Sequence, residues 1–572
     1  MDKLLEFQKS HVESLVGSLM LNSRVLDASD TGTGKTFCIL AACKIADLIP
    51  FVITPKSVIA NWFKVSEHMG CELYGISNYE LIQNCKYFNS LKKKVSADFV
   101  KVQELIVDSD KDNSSDSESD TNTMFKFKKI NKTNKAKSNV DFQKKFRERA
   151  LAKAIQGKKI EDKDLVDEQS DDEEEEIFSK KKIKYDYIWD DSKLPGNILF
   201  IFDEAHKCKN HKTNNGRLLY KLSKVPGVKI ALLSATVVDK PEYFKLPGCV
   251  LGFYKDIGSG KHWLQKVSKG FDNPMEAVHK LIYPDYASRM RIVDLENEFP
   301  DNHIVAEKMD MANSAEIEAQ YAIIQEAIQV LRSKEENSTS ALAIILYARQ
   351  QIELLKVPVF VKLTNELVSQ GKHVALFVNF TDTLLSLGEH LGTKCFIYGE
   401  QKIEERDTNI QLFASNKEKI IICNIRAGGV GISLHDTDGN YPRVALISPT
   451  WSAQDLIQVL GRVHRANCKS PVEQKILFCN GTFEETIASI IQSKVKNIGF
   501  LNDGSTKSYK MENLIEAQTE SNIQQVEIDE FTVEFERLER LNKKKLQLEK
   551  DLQKIVKEII NSEKKLVEKL VF

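Results

Sequence analysis

The chain has 572 residues, a hydrophobic fraction of 42% and a formal net charge of −1 from 81 basic and 82 acidic residues. That length accommodates roughly three to four domain-sized units, and that apolar share excludes a mainly disordered chain. The charge balance excludes a globally basic nucleic-acid binder, so a polyanion has to be met by a local basic surface.

The ten cysteines are scattered without C-x-x-C pairs or His/Cys clusters, which predicts reduced, mostly buried thiols and no zinc site. No apolar run approaches the roughly 18 residues of a membrane span, and the polar first ten residues do not read as a signal peptide. The expectation is a soluble intracellular protein without a membrane partner.

In chain order, LLEFQKSHVESLVGSL has apolar residues at helical spacing and carries Gln8. Residues 27–36, DASDTGTGKT, follow the apolar step Val25-Leu26 and run into a helical composition, FCILAACKIA. Strand, Gly-containing turn and helix form the setting in which a phosphate-binding loop works. Gly32 and Gly34 let the backbone close around phosphate, Lys35 supplies charge, and Thr36 a Mg²⁺ ligand; Ser29 stands where the first Gly of the motif is usual. The stretches 51–62 and 75–82 repeat the change from strand to helix, which predicts a parallel sheet whose strand ends collect ligand-binding residues.

Residues from about 90 to 190 break that pattern with DSDKDNSSDSESD, KFKKINKTNKAK and DEQSDDEEEE, and are expected to be a largely disordered charged insertion. Order returns with ILFIFDEAHKCKN, a buried-strand pattern ending in Asp203, Glu204 and His206. Two adjacent carboxylates at a strand end suit magnesium chemistry, with Asp203 on the metal and Glu204 activating water. VKIALLSAT ends in Ser234 and Thr236, placed to bond the acidic motif. A second α/β unit begins near residue 356. It contains KIIICNIRAGGVGISL, with Gly428, Gly429 and Gly431, and QDLIQVLGRVHRA, in which Arg462 and Arg465 stand three apart. On a helix they share a face, where two guanidiniums can neutralise a transferring phosphoryl group. From about Phe535, leucines and isoleucines at a/d-like spacing predict a coiled coil.

The order of the P-loop, ITP, Asp-Glu-Ala-His, SAT, AGGVG and Q-x-x-G-R-x-x-R resembles the superfamily-2 helicases and translocases. Asn61-Trp62, Asn78-Tyr79-Glu80, the segment SRMRIVDLENEFP, Trp451-Ser452-Ala453 and R-V-H-R are similar to the Swi/Snf-type branch, and LYARQQIELLKV to its HARP-like members. In place of that branch's Thr-Pro-Ile-Gln-Asn-like third motif, the chain has ATVVDKPEYF.

The resemblance implies an α/β fold of two tandem RecA-like P-loop lobes: lobe 1 over 1–250, a helical inter-lobe region over 251–355 and lobe 2 over 356–500. A linker over 501–530 and a coiled coil over 531–572 would follow, the latter available for self-association or a protein partner. It implies ATP and Mg²⁺ as cofactors, with Gln8 reading adenine and Asp30, Thr31, Gly32, Thr33, Gly34, Lys35, Thr36 and Gly431 around the nucleotide. Thr54, Asn78, Thr236, Asn424, Gly428 and Gly429 would face nucleic acid. The implied activity is ATP-dependent translocation on DNA, at a nuclear site or another site of DNA transcription or replication, a viral factory included. An RNA helicase and a nucleic-acid-binding scaffold with an idle motor are the alternatives. Q-x-x-G-R-x-x-R in place of H-R-x-G-R-x-x-R disfavours the first, and intact Lys35, Asp203, Glu204, Arg462 and Arg465 the second.

Overall fold

The computed structural model describes residues 2–107, 182–295, 300–332, 338–399, 401–428, 432–465 and 467–503. Helix α1 (Glu6–Asn22) leads into β1 (Arg24–Asp27), and the turn after β1 enters α2 (Lys35–Ile45). Strand β2 (Ile49–Thr54), α3 (Ile59–Met69), β3 (Gly75–Asn78) and the single turn α4 (Tyr79–Ile82) repeat the alternation. Strands β4 (Lys86–Asn89) and β5 (Lys94–Ser96) then run antiparallel at the sheet edge. An antiparallel ribbon of β6 (Val100–Val107) and β7 (Lys182–Trp189) forms its own two-stranded sheet packed against the first. There follow β8 (Ile198–Asp203), α5 (Asn214–Ser223), β9 (Lys229–Leu233), α6 (Lys245–Leu251), α7 (Ser259–Val267), α8 (Pro274–Ile282) and β10 (Ala287–Ser288).

The first sheet has the order β10-β1-β9-β8-β2-β3-β4-β5 and is parallel from β10 through β3. Side chains alternate across it as strand geometry requires. Phe51, Ile53, Phe200 and Phe202 enter one buried cluster, while Val52, Leu199 and Ile201 enter the cluster on the other face, beside Leu15, Ile39 and Trp62. Apolar side chains on both faces are what a parallel sheet covered by helices demands.

The charged insertion is narrower than its composition suggests. Strands β5, β6 and β7 fall within 90–190, because Val100 and Tyr187 are buried in the first sheet's core and Trp189 packs against it. The charged blocks within 108–181 lie outside the described residues.

The second sheet opens with β11 (Asn302–Met309), followed by α9 (Ser314–Arg332), α10 (Ser338–Leu355), α11 (Val357–Ser369), β12 (His373–Val378) and α12 (Thr381–Leu391). It continues through β13 (Phe396–Ile397), α13 (Ile403–Ala414), β14 (Ile420–Asn424) and the short α14 (Ile425–Gly428). It closes with β15 (Arg443–Ile447), α15 (Ala453–Val463), β16 (Val472–Cys479) and α16 (Glu484–Asp503). All strands are parallel, in the order β11-β16-β15-β12-β14-β13. Two tandem α/β lobes of this kind are the architecture the motifs imply.

The stretch 251–355 is not wholly helical. β10 still extends the first sheet and β11 already edges the second. β11 is half-exposed, so its sequence lacks the apolar alternation that marks a buried strand. Helix α16 runs past residue 500 and joins the lobes: Ile487, Ile491 and Val495 belong to the second lobe's core, and Leu501 to the first lobe's. Residues 504–572, where the rest of the linker and the coiled coil are expected, lie outside the described residues.

One ion pair is sealed inside the second lobe. Lys356 Nζ lies 2.9 Å from Glu484 Oε2 and also donates to Leu477 O at 2.7 Å, with side-chain exposures of 1% and 3%. Glu484 further accepts from Cys479 N at 2.7 Å and Tyr321 Oη at 3.2 Å. Breaking one side of such a pair strands the other charge without water. Lys356→Met should therefore lower unfolding free energy by about 3–5 kcal/mol, measured by urea denaturation of the full chain.

Candidate active site

The turn between β1 and α2 is shaped by its own polar groups. Gly32 and Gly34 have φ of 91° and 94°, a region open to glycine. A Cβ on Gly34 would also collide with Gln8 Nε2. Thr33 Oγ1 donates to Asp30 O at 2.8 Å, and Ser29 N donates to Asp27 Oδ1 at 3.0 Å. Behind the turn, His11 Nε2 lies 3.2 Å from Asp27 Oδ2, and its Nδ1 lies 2.8 Å from Ser288 Oγ. Lys35, at the first position of α2, donates to Ser29 O at 2.8 Å and Asp30 O at 3.2 Å, so its ammonium lies over the turn. Thr36 follows it, half-buried, in the first turn of α2.

Gln8, expected to read adenine, divides its carboxamide between the loop and the N-cap of its own helix. Nε2 donates to Thr33 O at 2.8 Å, and Oε1 accepts from Leu5 N at 3.0 Å. Asp30 is likewise tethered, accepting from Ile292 N at 2.9 Å. Both residues act on the loop's shape.

At the end of β8, Asp203 Oδ2 accepts from Thr54 Oγ1 and Trp62 Nε1, both at 2.8 Å, while Tyr79 Oη donates to its carbonyl at 2.8 Å. Thr54, expected to face nucleic acid, is fully buried against this carboxylate because β2 adjoins β8. Glu204 turns away in the left-handed region, φ 54°, and its Oε2 lies 3.3 Å from His206 Nδ1. The two carboxyls are pushed apart. Burial and the neighbouring Glu204 charge raise Asp203 above the usual carboxylate range, against the Trp62 and Thr54 hydrogen bonds. Burial would raise Glu204 too, but His206, Lys35 and Arg462 outweigh it and hold Glu204 at about 2.

Helix α15 of the second lobe closes the site. Its amphipathic stripe puts Gln454, Gln458 and Arg462 one above another. Gln454 Nε2 donates to Thr236 O at 2.9 Å, and its Oε1 accepts from Lys209 Nζ at 2.9 Å, which also bonds Asp239 Oδ1 at 2.7 Å. Gln458 Nε2 donates to Glu204 Oε2 at 3.0 Å. Gly461 touches Thr31 so closely that a Cβ there would overlap Thr31 Oγ1. Arg465 lies across Gly32, its Nε 3.1 Å from where a Cβ would stand. The shared-face expectation for the two arginines is corrected: α15 ends at Val463, and Arg465 reaches the loop from beyond the helix. Burial lowers Arg462, and burial together with Arg462 lowers Arg465. Arg465 Nε has no hydrogen-bond partner among the described residues. Arg465, half-buried over Gly32, and the buried Arg462 beside it form a cation pair chemically complementary to a polyphosphate.

Thr236, also expected on the nucleic-acid side, is 1% exposed and sits at the lobe interface. Asn424 caps α14, accepting from Arg426 N at 3.2 Å and donating to Asn379 O at 2.7 Å. Asn78 is half-buried at the end of β3, with its amide on Glu80. Gly428 ends α14, while Gly429 and Gly431 lie outside the described residues. Trp62 and Tyr79 enter the site from motifs marked only by resemblance, and Lys209, Gln454 and Arg289 join it without a motif of their own. The spacing 454, 458, 462 on an amphipathic helix was the signal available for Gln454.

Residues 356–467 match the helicase conserved C-terminal domain. A protein of Acanthamoeba polyphaga mimivirus, provisionally named ATP-dependent RNA helicase L364, is 33% identical over 530 residues, covering 89% of this chain and 85% of the relative. The human SWI/SNF-related matrix-associated actin-dependent regulator of chromatin subfamily A member 1 is 35% identical over 104 residues, 18% of this chain and 10% of that protein. The chain belongs to the helicase family of the mimivirus protein.

DNA repair protein RAD5 of Gibberella zeae is 29% identical over 100 residues, 17% of this chain and 8% of its own. The Sulfolobus solfataricus SWI2/SNF2 ATPase core in complex with dsDNA aligns over 86% of this chain and 90% of its own at 15% identity, with a TM-score of 0.29, too low to weigh in the assignment. As a helicase of this family, the chain is a nucleic-acid-dependent ATP hydrolase. No described helix is long and apolar enough to cross a membrane.

The Gly461–Thr31 contact makes closure sensitive to one methyl group. Gly461→Ala should cut steady-state ATP turnover by roughly tenfold or more, equivalent to about 1.4 kcal/mol, while leaving the unfolding midpoint near wild type. Turnover and thermal melts measured together check it.

Proposed function

We propose that this helicase is an ATP-driven translocase on duplex DNA. The observation that carries the reading is the seating of Gln458 on Glu204 and of Arg465 on Gly32, since it completes one site from two lobes. The glycines at 32 and 34 and the Lys35 ammonium bind the phosphates. Thr36 and Asp203 would hold Mg²⁺, which would supply neutralisation of phosphate charge. Among the described residues no group of three or more His, Cys, Asp and Glu forms a metal cage.

Glu204, kept ionised, accepts the proton of the attacking water, and Gln458 and His206 orient its carboxylate. Arg462 and Arg465 offset charge on the transferring group, but only while α15 is against the loop, so hydrolysis and lobe closure are one event. Asn78 and Asn424, at strand ends, are assigned to the nucleic-acid rim, with contacts to phosphate and sugar that carry no sequence preference. The work site is a place of DNA transcription or replication. Similarity to the SWI/SNF and RAD5 proteins supports DNA; the name of the mimivirus relative favours a second reading, an RNA helicase.

Lys35→Ala should abolish ATP hydrolysis, and Glu204→Gln should lower it by about 10²–10⁴-fold while sparing nucleotide binding. Duplex DNA should stimulate turnover several-fold more than single-stranded DNA or RNA, measured in one phosphate-release assay at fixed salt. Strongest stimulation by RNA would transfer the assignment to the second reading.

A further inference from the structure

Helix α16 docks on the first lobe through polar side chains. Asn497 Nδ2 donates to Asp239 O at 3.2 Å and its Oδ1 accepts from Asn273 Nδ2 at 2.9 Å, while Asn502 Nδ2 donates to Ala235 O at 2.8 Å. The last residue of the helix, Asp503, has a side chain that is 0% exposed. It takes Arg289 Nε on Oδ1 at 2.6 Å and Nη2 on Oδ2 at 3.2 Å. The same guanidinium reaches the phosphate loop: Nη2 lies 2.9 Å from Asp30 Oδ1, and Nη1 donates to Ala28 O at 2.6 Å.

A planar fork shared by two carboxylates and a carbonyl fixes all three relative to one another, which a lysine ammonium does not do. The carbonyl of Asp30 in turn accepts from Thr33 Oγ1 and Lys35 Nζ. A continuous path thus runs from the end of α16 through Arg289 to the phosphate-binding lysine. The helix spans roughly 30 Å as a rigid rod, and its other end is anchored in the second lobe by Ile487, Ile491 and Val495.

We propose that Arg289 and Asp503 are positioning residues of the ATP site, which report the docking of the second lobe's α16 to the phosphate loop and tighten nucleotide binding when α16 is seated. Neither residue touches nucleotide in this scheme; both act through Asp30 and the loop backbone. The inference rests on the loop at 27–36 being the nucleotide site.

The test is ADP binding to the full chain by titration calorimetry, without nucleic acid. Asp503→Asn should weaken ADP by about tenfold, or about 1.4 kcal/mol, and Arg289→Lys by a similar factor. Asn497→Ala trims a neighbouring polar contact of α16 while Asn502 and Asp503 keep the helix seated, and should stay within about twofold of wild type. Adding Asp30→Asn to Asp503→Asn should cost less than the sum of the two single losses, because both act through one guanidinium. Wild-type affinity in Asp503→Asn, or an equal loss in Asn497→Ala, overturns the proposal. If Asp503→Asn does not fold, Arg289→Lys decides by the same criterion. Lys35→Ala separates the two ideas: unchanged ADP affinity there sinks the loop assignment itself. Lost affinity in Lys35→Ala beside an unaffected Asp503→Asn sinks only the relay.

Discussion

Helix α15 lies against the phosphate loop with no side chain between Gly461 and Thr31, and the two lobes are arranged to permit that approach. Closeness here has an electrostatic purpose. It brings Gln458 to Glu204, Arg462 within electrostatic reach of Glu204, and the Arg465 guanidinium to a loop that already holds Lys35. The Arg462 and Arg465 guanidiniums repel each other, and burial lowers the proton affinity of both. Such a site favours a polyanion strongly, and it exists only while the lobes are together.

The acidic side of the cleft is built for division of labour. Asp203 is hemmed in by Thr54, Trp62 and Tyr79, which come from the ends and following helices of the neighbouring strands β2 and β3. Glu204, one residue on, swings through a left-handed backbone into the company of His206 and Gln458. Two adjacent carboxyls therefore meet opposite environments, and their proton affinities separate in opposite directions. The same cradle ties Asp203 to the ends of β2 and β3, so that carboxylate and Asn78 at the end of β3 share a rigid frame.

Much of this was legible in the sequence, for physical reasons that differ by element. The loop, the Asp-Glu-Ala-His strand end and Arg462 were readable because their chemistry depends on short local spacing. Both sheets followed from strand and helix alternation. Thr54 and Thr236 are buried where the sequence suggests a nucleic-acid face, because a small hydroxyl at a strand end can face either the cleft or a neighbouring strand. Only the strand order β9-β8-β2 decides it. Arg465 reached its position without the helix that spacing suggested, since the chain leaves α15 at Val463. β6, β7 and β11 were hidden by charged or half-exposed composition. The link from Asp503 to Asp30 spans nearly the whole described chain, and no local pattern encodes a contact of that separation.

The central claim is that catalysis is completed by the second lobe. It is tested most directly by comparing ATP binding and ATP turnover in Arg465→Ala, which removes the guanidinium from Gly32 but leaves the first lobe's loop intact. The account predicts nucleotide affinity within about threefold of wild type and single-turnover hydrolysis lower by about 10³-fold or more. Hydrolysis at the wild-type rate in that variant would contradict it.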